Sequence, residues 1–558
     1  MQNAALDFRA AFFAPAPLAR ARLLNNGLIS ARGAVIVFLR MKKIAFTVFA
    51  AALCASAWAE IKMPSVFGDN MLLQREMPVK VWGLAEPNAQ VRVEFAGQKK
   101  STKAGADGAW SLKLDKMPAD KNPREMSVFE NGKLGAKFAN VLVGEVWIAG
   151  GQSNMEFSLR FAQDAAKNLK EAGDPCLRYF SQNTRVLAQA PRFDSDQGKW
   201  TLPSPKTARM YSAVGYLFAK NLRAELDVPV AIIFAALGGS KMIAWTPEDA
   251  AGGCEYTKSV VEEFKKKNAS YSYADALKAW EVQYARWQEI AKKRKAEGKR
   301  VFNSPHKPCE NSCTRIAFTP CQLYNASVAP FAGFSARGVI WYQGEADSGG
   351  LFPTEIESPR GRSLDFFSEQ MALLIKSWRA KFENPEMPFI QVQLASFRDQ
   401  PGRNWPLTRA KQLAVSKIVP RCYTANIIDC GEEDNIHPKD KQTVANRLSA
   451  IALSQVYGKK GASPFAPAVK AVEYKGGKAI VDFGEPLEGR GEPRGFEAKV
   501  GGKWARADAE LSGGKVSVSR GGAEIEGVRY LWKSWARPDA WLYGKNNLPA
   551  FSFEDAKK

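Results

Sequence analysis

Hydrophobic and polar positions divide the chain into three stretches with different periods. From residue 60 to about 142 they alternate. Val79-Lys-Val-Trp82 and Val91-Arg-Val-Glu-Phe95 repeat every second position, as strands with one wet face do. Lys103-Ala-Gly-Ala-Asp-Gly108 reads as a turn before another strand, Ala109–Leu114. Short strands at close spacing predict a small β-sandwich domain over 60–142. From 143 to 457 the pattern becomes short apolar runs with helical stretches between them. The runs are Val146–Ala149, Val228–Ala236, Gly338–Tyr342, Phe389–Leu394 and Tyr423–Asp429. Strands without a polar face, joined by helical crossovers, predict a parallel α/β sheet covered on both sides. After about Gly458 alternation returns, punctuated by Gly-Gly pairs beginning at 476, 501, 513 and 521. Residues 458–558 are therefore expected to form a C-terminal β domain.

The second and third runs are separated by an insertion, about 250–322. In its middle, from Tyr273 to about Lys299, Leu277, Trp280, Tyr284 and Trp287 fall at helical spacing among charged residues. That predicts an exposed amphipathic helix or hairpin. The N-terminus differs in kind. Met41-Lys-Lys leads into an apolar run that ends at Ala57-Trp58-Ala59, the layout of a secretory signal with a small-x-small cleavage site. The run is too short to span a bilayer as a helix. Residues 41–59 are expected to be a signal peptide, and 1–40 an upstream extension from a misplaced start; the rival is one long amphipathic presequence. The mature protein is then exported, periplasmic or extracellular, with no stable membrane insertion.

Composition narrows the class. A chain of 558 residues with 46% hydrophobic content and 15 Trp has core enough for several domains and no disordered signature. The formal net charge is +22; residues 1–59 hold seven basic residues and one acidic residue, which leaves +16. No aromatic-interleaved basic stripe accompanies that charge, so a nucleic-acid partner is not expected. Seven cysteines remain beyond residue 59. In an exported chain disulfides or buried thiols are expected. His306, Cys309, Cys313 and Cys321 match no strong zinc spacing, and no metal site is expected.

The candidate chemistry centres on Val146-Trp-Ile-Ala-Gly-Gly-Gln-Ser-Asn-Met155. A short strand, two glycines and a helix start put Ser153 at a strand's carboxyl end, where parallel sheets present reactive groups. A serine there is either a helix N-cap or a nucleophile. A nucleophile needs a base, and the chain has two histidines. His437 follows the last apolar run and so emerges at the same sheet edge. Asp434 stands three residues before it, a spacing that lets a carboxylate reach the ring's Nδ1. His306 has no such companion. Donors for an oxyanion are offered by the turn Leu237-Gly-Gly-Ser240, through Gly239, and by Gln343 after the third run. Glu345 and Asp347 with Glu432 and Glu433 form an acidic alternative, but no calcium-loop pattern surrounds them.

Four segments, Gly-Gln-Ser-Asn-Met at 151–155, Gly-Gly-Ser at 238–240, Trp-Tyr-Gln-Gly-Glu at 341–345 and Asp-Asn-Ile-His-Pro at 434–438, resemble the blocks of SGNH (GDSL-like) hydrolases. Among these they are most similar to the sialate O-acetylesterase branch of carbohydrate acetylesterases. The resemblance extends to Phe67–Gln74, Leu323–Asn325 and Asn547–Ala550. It implies a flavodoxin-like three-layer sandwich with a five-stranded parallel sheet, flanked by the two β segments. It also implies a Ser153/His437/Asp434 triad and an oxyanion hole of the Ser153 N–H, the Gly239 N–H and the Gln343 side chain. Gln152, Asn154, Glu345 and Trp245 are carried over as substrate contacts, with core packing as the equal alternative for Trp245. No cofactor is implied. The expected substrate is an O-acetylated sugar, with sialic acids preferred. The alternatives are acetylated plant polysaccharide, such as xyloglucan or xylan, and a non-catalytic secreted carbohydrate-binding protein. Oligomeric state is left open.

Overall fold

The computed structural model describes residues 61–301, 303–349, 355–461 and 463–557. The expected signal peptide and upstream extension lie outside them. All five expected parallel strands are present, as Lys133–Gly151, Val230–Ala236, Gly338–Tyr342, Phe389–Val392 and Cys422–Ala425. Numbered in chain order, they lie side by side in the order 2-1-3-4-5. The sheet is larger than expected, however. Leu177–Ser181 adds a sixth parallel strand beside Val230–Ala236, and Lys199–Thr201 closes that edge antiparallel. Leu177–Ser181 carries Arg178 in its middle, and that charge hides it from a search for apolar runs.

Side chains alternate across the sheet. Trp147, Ala149, Ile232 and Ile340 share one core with Phe218 and Leu448, from the helices Ala213–Leu226 and Lys441–Gln455. Val146, Ile148, Ile233 and Val339 face the other core with Leu374 and Trp378, from the helix Phe367–Lys381. The central strands are buried on both faces, which is why they read as mainly apolar runs.

The expected boundary at 142/143 falls inside one strand. The 19-residue strand Lys133–Gly151 pairs with the N-terminal β segment through its first half and with the parallel sheet through its second. The C-terminal β segment has its own core, which also takes in Ile428 from the loop after the last parallel strand. The helix Tyr273–Ala296 forms where the sequence predicts it, and none of its 24 residues is fully buried. All seven described cysteines are free thiols, five of them buried; the disulfide alternative is not realised.

Candidate active site

The site forms where strand order reverses. The central strand ends at Gly151, in register with Ala236 on one side and Tyr342 on the other. The three following loops therefore leave the sheet together, at the position where open α/β sheets hold ligands. The loops are stitched to one another: Gln152 N–H donates to the Tyr342 carbonyl at 2.9 Å and Leu237 N–H to the Gly151 carbonyl at 3.1 Å. Gly151 has φ +134°, and a Cβ there would lie 2.2 Å from the Tyr342 carbonyl oxygen, so only glycine fits.

Ser153 is the first residue of a short helix, Ser153–Glu156, and is half-buried. Helix N-termini leave their first N–H groups free, and the Ser153 N–H has no partner among the described residues. The turn carrying Gly239 lies alongside, since a Cβ at Gly238 would sit 3.5 Å from that of Ser153. Gly239 is exposed at φ +73°, and its N–H likewise has no partner among the described residues. The neighbouring Gly238 N–H is occupied, donating to Glu156 Oε2 at 2.6 Å. Two unoccupied backbone donors beside one serine hydroxyl make a suitable cradle for an oxyanion.

His437 is brought to this edge by a side chain that the sequence did not mark as a connector. Asn154, buried directly after the serine, donates through Nδ2 to the carbonyl of Ile436 at 3.0 Å and to Glu345 Oε1 at 2.6 Å. Its Oδ1 accepts from Lys441 Nζ at 2.6 Å. One amide thus ties the serine turn, the third loop and the histidine loop together. Lys441 is fully buried, its ammonium 4.8 Å from the Phe157 ring centre and 5.4 Å from that of Tyr342. Burial pushes its pKa down to about 7, and burial likewise raises that of Glu345. Burial and the Lys441 charge together hold the His437 imidazole below the usual histidine value. The His437 backbone is clasped by Asn435, which accepts from its N–H at 3.1 Å and donates to its carbonyl at 2.9 Å.

Several expected site residues have other partners in the structure. Asp434 does not meet His437: its carboxylate is 83% exposed and pairs with Arg398 Nη1 at 2.8 Å. Gln343 is buried, and its Nε2 donates to Asp347 Oδ2 at 2.5 Å and to the Ser240 carbonyl at 3.2 Å. Both of its N–H groups are taken by these partners. Gln152, Asn154, Glu345 and Trp245 are all buried and hold the site from beneath. Gln152 Oε1 accepts from the N–H groups of Gly344 and Ala346, and Trp245 donates to Ser240 Oγ at 2.8 Å. His306 lies in the insertion, on the wall of a cavity whose lining does not include Ser153. Lys441 and Glu156 escaped the sequence reading. The one available signal was a lysine in the first turn of a helix, where the dipole disfavours a cation.

Comparisons with known proteins place the chain in a family. A family model described as carbohydrate esterase, sialic acid-specific acetylesterase, matches residues 143–279 and 308–454. Sialate O-acetylesterase from Rattus norvegicus is 25% identical over 529 residues, covering 85% of this chain and 90% of the relative. The Homo sapiens enzyme of that name is 24% identical over 471 residues, 77% of each chain. Among solved structures, a carbohydrate acetylesterase from Xanthomonas citri superposes with a TM-score of 0.72 at 29% identity, covering 89% of this chain and all of the other. With the blocks around Ser153, Gly239, Gln343 and His437 all inside the matched residues, this chain belongs to the sialic acid-specific acetylesterase family of carbohydrate esterases and is a carboxylic ester hydrolase.

Proposed function

We propose that this esterase removes O-acetyl groups from sialic acids through a Ser153–His437 pair. The observation that carries the pairing is the Asn154 amide, which bonds the carbonyl just before His437 from the position just after Ser153. His437 takes the hydroxyl proton as Ser153 Oγ attacks the acetyl carbonyl. The oxyanion rests on the Ser153 and Gly239 N–H groups. The sugar alcohol leaves with the proton from His437, and water then hydrolyses the acetyl-enzyme by the same steps. Asp434 is outside this reading because its carboxylate is committed to Arg398; its spacing from His437 favours the alternative, a Ser-His-Asp triad.

Support for the sialate ester comes from the family and from the +16 charge beyond residue 59. The test is acetate release from 9-O-acetyl-N-acetylneuraminic acid against acetylated xyloglucan oligosaccharides. Faster release from the acidic sugar is expected. Equal or faster release from the neutral one rejects the sialate assignment and leaves the ester chemistry intact. Absence of turnover of p-nitrophenyl acetate as well would leave only a binding protein.

A further inference from the structure

Between the insertion helix and the returning segment 305–315 lies a cavity of about 430 Å³, within the usual range for small-molecule sites. Tyr271, Trp280, Gln283, His306, Lys307 and Arg315 line it, and no Asp or Glu is among its lining residues. The walls are fixed. Trp280 donates its indole N–H to the Pro305 carbonyl at 3.1 Å and stacks on Tyr284, ring centres 4.9 Å apart. Tyr271 donates its hydroxyl to the Cys309 carbonyl at 2.8 Å. Arg315 is half-buried over the Phe318 ring and forms no ion pair with a described residue. A half-buried guanidinium without a carboxylate, next to an indole and two further nitrogen bases, suits a ligand with an apolar ring face and a carboxylate.

One short segment links the cavity wall to the turn that carries Gly239. Ser312, Thr314 and Thr319 bond to one another through their hydroxyls at 2.8–3.0 Å. One side of this segment, Ser312 to Arg315, walls the cavity. On its other side the Ala317 carbonyl accepts from the Lys241 N–H at 3.1 Å, and the Ala317 methyl lies 4.0 Å from where a Gly239 Cβ would stand. Arg315 and Ala317 are two residues apart, at most about 7 Å of chain. The family match leaves out residues 280–307, which supply Trp280, Gln283, His306 and Lys307.

We propose that this cavity is a subsite for a carboxylate-bearing sugar ring of the acetylated substrate, with Arg315 on the carboxylate and Trp280 on the ring. The inference rests on the esterase reading above. It names the residues that would make such an enzyme prefer an acidic sugar.

The experiment compares Arg315→Gln, Arg315→Lys and Trp280→Ala with the unaltered protein on two esters. For 9-O-acetyl-N-acetylneuraminic acid, Arg315→Gln and Trp280→Ala should each raise KM at least ~10-fold, and Arg315→Lys should recover part of the loss, since a lysine keeps the charge without the fork. For p-nitrophenyl acetate, kcat/KM should stay within about twofold, which also reports an intact fold. An unchanged KM for the acidic ester, or an equal loss on both esters, overturns the subsite. Binding of N-acetylneuraminic acid to Ser153→Ala protein by calorimetry separates this proposal from the esterase reading. Binding that Arg315→Gln abolishes upholds the subsite even without turnover; absence of binding, or binding indifferent to Arg315, rejects it.

Discussion

Ser153 and His437 should stand or fall together. Members of a nucleophile–base pair act as a unit, so Ser153→Ala and His437→Ala are each expected to cut p-nitrophenyl acetate turnover at least ~10³-fold while the protein stays folded. Asp434→Asn tests the third place: with its carboxylate on Arg398, a loss under ~10-fold is expected. A loss as deep as that of His437→Ala would show that Asp434 turns onto the imidazole during the reaction. Burial first, and then the Lys441 charge, lower the His437 pKa, so a neutral imidazole persists below the ordinary histidine range of about 6.5. The acid limb of kcat/KM should therefore lie below that value. Lys441→Met removes the charge and should move the limb upward; Lys441→Arg should hold it down. A limb that stays put in Lys441→Met would leave Lys441 with packing alone.

At the scale of elements, the site is a set of strand ends held at fixed offsets. Gly151 is the tightest of these points. Its φ of +134° and the 2.2 Å approach to the Tyr342 carbonyl leave no room for a methyl group. Gly151→Ala must push the central strand from its neighbour and carry Ser153 with it. Strain of this kind costs on the order of 1–3 kcal/mol, and misplacement of a nucleophile by about 1 Å costs ~10²-fold in rate. Lower thermal stability with a collapse of kcat is expected; a variant with normal kcat would mean that the turn tolerates a left-handed alanine. The histidine loop is propped from another element: Asn426 Nδ2 bonds the Pro549 carbonyl at 2.8 Å and Arg537 Nη1 the Gly431 carbonyl at 2.6 Å. The C-terminal β segment thus holds the His437 loop.

For the whole molecule, the opposite end of the sheet is fastened by one buried carboxylate. Glu145 has no exposed side-chain surface and accepts from Arg75 Nε at 2.5 Å, Arg337 Nε at 2.8 Å and the Tyr457 hydroxyl at 3.0 Å. Those partners come from the N-terminal β segment, the third parallel strand's approach and the end of the last helix of the α/β region. Breaking a buried ionic cluster by neutralising one member costs roughly 3–5 kcal/mol. Glu145→Gln should therefore lower the melting temperature sharply, while KM for an acetyl ester in the surviving folded protein stays unchanged. A melting temperature within a degree or two of the unaltered protein would show that the cluster is not needed to join the segments.

The five apolar runs, the alternating strands of both β segments and the helix at Tyr273–Ala296 follow from periodicity, because burial on both faces, one face or one stripe leaves its mark residue by residue. The position of Ser153 and His437 at one sheet edge was legible for a related reason: strand ends of a parallel sheet converge, and both residues follow such ends. Leu177–Ser181 was not legible, since Arg178 finds its partners in the carbonyls of Pro175 and Leu177, which pattern cannot foresee. Asp434 stood at a triad spacing, yet side-chain direction is set by what lies across the loop, and there Arg398 has claimed the carboxylate. Gln152, Asn154, Glu345 and Trp245 sit in the right segments, but only packing decides that all four face inward as supports. Sequence thus determined which strands meet and which residues reach the shared edge. Tertiary structure decided which polar groups there remain free to react, because hydrogen-bond partners distant in the chain consume the rest.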